Sequence, residues 1–348
     1  MKKVFALVLS AIMILGLCAC NGNPSSSSNS SGSTASGINA HEFSFSVAQG
    51  ESTTYYKTAE KFAEMMKEAS DGKINIKVYG NCSLSGGDQT AALEMIQKGS
   101  IDMGMVTAAV CGNMIQDLRV TVIPWGFSGE EHVDAALTKG SDLYALYEQE
   151  FSDVDIHLLG IAEHGFRDIM TSKLNVRQPS DLKGLKLRVL ATPVLNDFFI
   201  AMGTNVADIG PTEIYTSLQN GTIDGQENPL VYSYFSDFTK VAPYISIWRY
   251  AYDAHPFMMS ETLWNSLTAD EQALFVQVSD EWIGVQRAMM RDAYDGAYQA
   301  CLDDGCTIVE LTDEEIAVFK AEASKTSAPY IEQLANAWDL LQKCDPKA

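Results

Sequence analysis

Two hydrophobic periods exchange repeatedly along this chain. Phe43 to Val47 alternates apolar with small polar residues, the pattern of a half-buried strand. Thr58 to Lys67 then carries Ala59, Phe62, Met65 and Met66 at helical spacing, and Asp71-Gly72 turns the chain into a strand from Ile74 to Val78. A glycine-rich turn, Ser85 to Asp88, leads into a helix over Thr90 to Gln97. Gly99 stops that helix, and a strand is predicted from Ile101 to Met105. Further on, Gly184 to Val189 alternates again. Lys186 and Arg188 share one parity there, so Arg188 is carried by a rigid element. Thr212 to Asn220 predicts a short helix with Thr212 as its cap and Leu218 on its apolar side, followed by the amide- and carboxylate-rich Asp224 to Asn228 and by Pro229.

The pattern contains a repeat. Ala92 to Asp102 and Tyr215 to Asp224 both read as helix end, glycine stop, small hydroxyl residue, Ile-Asp. Each is preceded by a glycine-led alternating strand, one at Gly72 and one at Gly184. Chance can produce so short an identity; read physically, one strand–helix–strand unit occurs twice, which predicts two α/β lobes facing each other across a cleft. Near the end, Thr268 to Glu271 is a capping box. Leu274, Val278, Trp282, Val285 and Met289 then fall on one helical face for about thirty residues, long enough at 1.5 Å per residue to lie across both lobes. A second box, Thr312 to Glu315, starts a helix that Pro329 is expected to interrupt, and a last helix runs to about Lys343.

Composition narrows the function classes. At 348 residues the chain holds one large or two medium domains. A formal net charge of −21 excludes nucleic-acid binding, which needs a basic face. It does not exclude an anionic ligand, because surface charge is screened within about 10 Å while a cleft arginine is not. The first residues read as targeting: Lys2 and Lys3, then an apolar run from Val4 to Leu17 too short to span a membrane. Leu17-Cys18-Ala19-Cys20 resembles a bacterial lipobox, with Cys20 as the lipidated residue; an ordinary cleaved signal peptide is the alternative. The serine-, glycine- and asparagine-rich stretch after it reads as a flexible tether. Of the seven cysteines, Cys82, Cys111, Cys301, Cys306 and Cys344 remain after such cleavage and lipidation, an odd count. Cys301 and Cys306 either bridge locally or stay free.

Arg188 is the residue best suited to carry chemistry. A strand-held guanidinium offers a planar fork for a carboxylate, unless an acidic neighbour already occupies it. Gln226 either helps it or satisfies backbone groups in a tight turn, and Tyr215 is either pocket wall or core. His164 and His255 read more readily as structural than functional. No nucleophile accompanies the His164/Asp168 pair, and the sequence has no G-x-S-x-G, H-E-x-x-H, Walker A or G-x-G-x-x-G motif and no Cys/His cluster at zinc spacing. No enzyme, cofactor or metal site is therefore expected.

"GLKLRV", "PTEIYTSLQNGTIDGQENP" and "GFRDIMTSK" together resemble the signature of TRAP transporter solute-binding receptors of the DctP type, over nearly the whole chain from about Phe43. The resemblance implies an α/β, two-lobe, periplasmic-binding-protein-like (Venus flytrap) fold with a long helix spanning both lobes. With the leader at 1–19 and the tether at 20–40 read from the residues, the expected organisation is lobe I at 41–165 with 254–290 returning to it, lobe II at 166–253 with the C-terminal helices, and the spanning and C-terminal helices at 268–348. By the same resemblance Arg188 is the main carboxylate anchor, Arg167 a second ligand-contacting arginine and Asn228 the ligand-binding asparagine. From the opposite lobe, Glu51, Asp88 and Thr107 stand where the family gathers polar contacts, although Glu51 or Asp88 can equally serve as a helix cap or turn residue. Trp125 either stacks on a ligand ring or belongs to the core. The implied ligand is a small monocarboxylate, with polar loops favouring a sugar acid such as a hexuronate. The implied partners are the two integral membrane subunits of an ion-driven transporter, and the implied location is the outer face of the cell membrane or the periplasm. A sensing or adhesive lipoprotein of the same fold, and a secreted hydrolase, are the alternatives.

Overall fold

The computed structural model describes residues 37–347. The expected leader, the Cys20 lipidation site and the tether as far as residue 36 lie outside the described residues. The end of the expected tether is docked: Ile38 is buried, and the Asn39 amide donates to Glu271 Oε1 at 2.8 Å.

Among the described residues nine strands form one mixed sheet: β1 (His41–Val47), β2 (Ile74–Tyr79), β3 (Met103–Met105), β4 (Ile156–Thr171), β5 (Lys186–Arg188), β6 (Asn205–Ala207), β7 (Gly225–Asn228), β8 (Tyr244–Ser260) and β9 (Thr307–Glu310). Their order is β2-β1-β3-β8-β4-β7-β5-β6, with β9 against β8. The order is a palindrome of two equivalent halves. β1 lies parallel to β2 and β3, as β5 lies parallel to β6 and β7. The long strands β4 and β8 run antiparallel through the middle and link the two lobes.

The sequence repeat is therefore a structural repeat. The helix Gln89–Gln97 closes at Gly99 with φ +71°, and the helix Ile214–Gln219 closes at Gly221 with φ +69°. Only glycine takes this left-handed turn without a Cβ penalty. In the first, Ser100 N–H donates to Met95 O at 2.8 Å; in the second, Thr222 N–H donates to Ser217 O at 2.9 Å. The aspartates that follow do the same work. Asp102 accepts the Ser44 N–H of β1 at 2.7 Å, and Asp224 accepts the Lys186 N–H of β5 at 2.9 Å. One detail of the expected repeat is corrected: the counterpart of the Gly184-led strand β5 is β1, and the Gly72-led β2 corresponds to β6. The parallel pairing decides this, because the helix-to-strand connection returns to the inner strand of each lobe.

Lobe I packs the sheet against the helix Thr54–Ala69 and the long helix through Phe45, Phe62, Phe257 and Trp282, whose rings meet at 4.7–6.1 Å. Full burial of each such side chain contributes about 1.5–3 kcal/mol. The long helix runs over Ala269–Asp303 from the Thr268/Glu271 capping box, and its 35 residues span about 50 Å. Its contacts change along that length: Phe275, Val278 and Trp282 in lobe I, Met290 and Ala297 at the crossing, Cys301 in lobe II. Val285 and Met289, expected on the buried face, are only half-buried. Gln286 takes the buried position because β4 is irregular there. The register slips between Glu163 and Gly165, and the Gln286 carboxamide bonds to both the N–H and the C=O of Glu163 at 2.8 Å. A carboxamide presents a donor and an acceptor side by side, so it satisfies a backbone N–H and C=O of one residue at once.

Two further local expectations are corrected. Thr212 lies inside a 3₁₀ turn, Pro211–Glu213, and does not cap the helix that follows, because the proline starts a turn of its own. Pro329 lies within the helix Asp313–Gln333, which continues past it. The ring removes one backbone donor, and buried Phe319, Ala323 and Ser327 keep the helix seated. Cys301 and Cys306 are free buried thiols.

Candidate functional site

At the junction of the lobes a small cavity is lined by Gln49, Gln89 and Thr107 from lobe I, His164 from the crossing, and Arg167, Arg188, Asn228 and Tyr232 from the lobe II side. Its volume is about 20 Å³, room for one water-sized group. It adjoins a recess of about 470 Å³ that shares Ala48, Pro211 and Tyr232 and adds Glu51, Asn81 and Tyr215. The inner chamber thus suits the head of a ligand and the outer recess its body.

β5 aims Arg188 into the inner chamber. Its neighbours Ala207 and Gln226 stand in register on either side, and Arg188 is 6% exposed. Nε donates to Ile209 O at 3.0 Å, which fixes the plane of the guanidinium. Among the described residues no carboxylate lies within ion-pair distance of it. Burial lowers its pKa, opposed by the more distant Glu227. A buried cation without a partner is costly, so the site is built for an anion supplied from outside.

Arg167 is different. It is fully buried in β4 and already neutralised. Its Nη2 donates to Glu227 Oε1 at 3.0 Å, to the Glu227 carbonyl at 2.6 Å and to Asn228 Oδ1 at 2.9 Å, and its Nε completes the fork to Glu227. Nη1 reaches Asp253 Oδ2 at 3.3 Å. Burial is the largest single influence and would lower its pKa, but Glu227, Asp253 and Tyr250 together outweigh it and raise it. Glu227 also accepts from Leu190 N–H at 2.6 Å and Tyr250 Oη at 2.8 Å, so its carboxylate is saturated. Of the two arginines, only Arg188 therefore brings uncompensated charge.

Asn228 lines the chamber with its carbonyl oxygen held by Arg167 and one amide N–H donated to Gln226, leaving the other N–H for a ligand. Gln226 stands behind it: its amide donates to Ser233 Oγ at 3.1 Å, and it does not line either cavity. Thr107 lines the chamber. Its N–H donates to Gln89 Oε1 at 3.3 Å, and its hydroxyl oxygen caps the helix Ala108–Cys111 while keeping its own proton to give. Glu51 and Tyr215 face the outer recess.

Two candidates lie elsewhere. Asp88 caps the helix Gln89–Gln97, accepting from Thr90 N–H at 2.7 Å and Ala91 N–H at 3.1 Å, and lines neither cavity. Its position before a helix made the cap the competing use, and the cap won. Trp125 sits among Phe198, Trp248 and Tyr250 at 5.9–6.2 Å, in the aromatic packing of the core. Sequence reasoning missed Gln49, Gln89 and Tyr232 as lining residues, and Glu227 as the group that neutralises Arg167. Gln49 lies two residues before Glu51, and only the chain's course after β1 distinguishes which of them lines the inner chamber.

Behind the chamber His164 and His255 stack with ring centroids 4.3 Å apart. His164 Nδ1 lies 3.1 Å from Asp253 Oδ2. That oxygen also receives Arg167, so it is the acceptor and the proton sits on Nδ1. Burial first, then Arg167 and Arg188, hold the His164 pKa well below its ordinary value, so the ring is neutral. Among the described residues no cluster of His, Cys, Asp and Glu is suited to hold a metal.

The chain has known relatives in sequence and in fold. Residues 45–333 match the model of DctP, the bacterial extracellular solute-binding protein family 7. The 2,3-diketo-L-gulonate-binding periplasmic protein YiaO of Escherichia coli K12 is 24% identical over 314 residues, 90% of this chain and 94% of its own. A TRAP periplasmic solute binding protein from Ralstonia eutropha H16, solved with bound (S)-2-acetolactate, superposes with TM-score 0.82 at 27% identity, covering 87% of this chain and 97% of that one. The sugar acid binding protein DctPAm from Advenella mimigardefordensis, in complex with galactonate, does so with TM-score 0.81 at 25% identity, covering 88% and 100%. With the family model matched along most of its length, and the same two-lobed α/β fold in both solved relatives, this chain belongs to the DctP family of TRAP transporter solute-binding proteins.

Proposed function

We propose that this receptor captures a small hydroxylated monocarboxylate, a sugar acid such as a hexuronate, and delivers it to the integral membrane subunits of a TRAP transporter, without catalysing a reaction. The observation that carries the ligand class is the charge count of the chamber. Arg167 is cancelled by Glu227, and Arg188 alone awaits a carboxylate. A second carboxylate would meet Glu51 at the outer recess, where like charge disfavours it. The relatives support a hydroxy- or oxo-acid, since galactonate and 2-acetolactate are the ligands of the two solved proteins. Closure of the lobes about β4 and β8 would bury the acid and present a new surface to the membrane subunits. An anchor at Cys20 would hold the receptor at the outer membrane face.

A thermal-shift screen against organic acids tests the reading. A bound acid raises Tm by mass action, and Arg188→Ala abolishes the shift, with affinity falling about a hundredfold or more as a charge-assisted fork is lost. Undiminished binding by Arg188→Ala would refute the assignment.

A further inference from the structure

The chamber carries a feature that charge pairing does not explain. His164 Nε2 and Gln49 Oε1 are both buried and have no hydrogen-bond partner in the protein, although both side chains line the chamber. Each is an acceptor. His164 spends its only N–H on Asp253 through Nδ1, so Nε2 offers a lone pair. Gln49 turns its amide nitrogen to His255 Nε2 at 3.4 Å, which leaves its carbonyl oxygen. Their exposures are 3% each, so bulk solvent does not serve them. A buried acceptor left unpaired costs about 1–3 kcal/mol, and two in one small chamber are not there by default.

A carboxylate cannot satisfy them, because it is itself only an acceptor, and Arg188 and the free Asn228 N–H are the groups that receive it. A donor is required beside the carboxylate, within reach of the lining that His164 and Gln49 share. We infer that His164 and Gln49 form a hydroxyl-reading subsite, which makes the receptor select 2-hydroxy acids over their 2-oxo counterparts. The proposal rests on the receptor reading above and goes further: it fixes the group on the carbon beside the carboxylate as a hydroxyl, and so within the sugar acids it favours aldonates and open-chain forms over ring-form hexuronates, whose ring oxygen has no proton to give. A hydroxyl gives its proton to one of these acceptors and is held there. A carbonyl at the same place turns its own lone pairs toward theirs and leaves both unpaired. Selection of this kind is strong where a site built to accept a hydrogen bond meets an analogue without the donor.

The test is titration calorimetry of the full-length protein with matched pairs: D-gluconate and 2-oxo-D-gluconate, D-glycerate and hydroxypyruvate, lactate and pyruvate. In each pair that binds, the hydroxy acid is expected to be about tenfold to a hundredfold tighter. Gln49→Met removes one acceptor at similar volume; it should weaken the hydroxy acid and, by removing a lone pair that faces the carbonyl, favour the oxo acid, so the ratio shrinks. His164→Asn presents either a carbonyl or an amide and should shrink the ratio by admitting the oxo acid. Equal or tighter binding of the oxo acid in any pair overturns the subsite while leaving the receptor reading intact, as does a ratio that neither variant moves. If no pair binds and Arg188→Ala changes nothing in the wider acid screen, both fall together.

Discussion

The Arg167 guanidinium and the Glu227 carboxylate meet fork to fork with both side chains fully buried. This pair sets the electrostatics of the ligand chamber by removing one of its two cations from play. It also fixes the Asn228 amide, whose carbonyl oxygen is held by Arg167.

Breaking the pair from one side strands a charge in the core. Glu227→Gln is expected to destabilise the protein by about 3–5 kcal/mol in urea denaturation, whereas Arg167→Met combined with Glu227→Leu recovers much of the loss. A single-variant loss under about 1 kcal/mol would show that solvent reaches the pair and that Arg167 is available to ligands.

Asp168, on β4 beside this pair, is fully buried, and burial raises its pKa to about 6 even though Trp248 and Arg249 N–H each donate to it at 2.9 Å. Its folded pKa lies above that of a free carboxyl, so its contribution to stability is complete below about pH 4 and is lost as pH rises through about 6. Asp168→Asn keeps an oxygen for the two N–H groups and drops the ionisation. Relative to the parent it should gain up to about 3 kcal/mol between pH 4 and 7. The comparison cancels the opposing titration of buried His164 and His255. Parallel stability curves for the two proteins would rule out this role for Asp168.

Gly225 opens β7, and a Cβ there would stand 2.6 Å from the Met170 carbonyl oxygen of β4. Backbone cannot yield as a side chain can, so Gly225→Ala should cost about 1–3 kcal/mol. It should also weaken acid binding, because β7 carries Asn228 and stands in register with Arg188. Gly284, in the long helix with open space around it, is the control: Gly284→Ala should stabilise by about 0.5–1 kcal/mol. Unfolding midpoints and acid affinity of the two variants check both statements, and a silent Gly225→Ala would mean that β4 and β7 separate more easily than their pairing implies.

Much of the architecture is a local property of the chain. The two capping boxes, the glycine stops at Gly99 and Gly221 and the strand-borne Arg188 depend on residues a few positions apart, and local steric and hydrogen-bonding rules specify them. The repeated helix-glycine-Ile-Asp unit was legible for the same reason, and it led to two lobes. What sequence alone left open was whose charge is already spent. Arg167 and Arg188 look equivalent along the chain, and only the approach of β7 to β4 delivers Glu227 to one and not the other. Asp88 and Trp125 were drawn away by nearer partners, a helix terminus and an aromatic core, for the same physical reason: a polar or aromatic side chain is claimed by whatever the fold brings within reach. The buried acceptors of Gln49 and His164 belong wholly to tertiary structure, because a side chain has no missing partner until folding has excluded water from it.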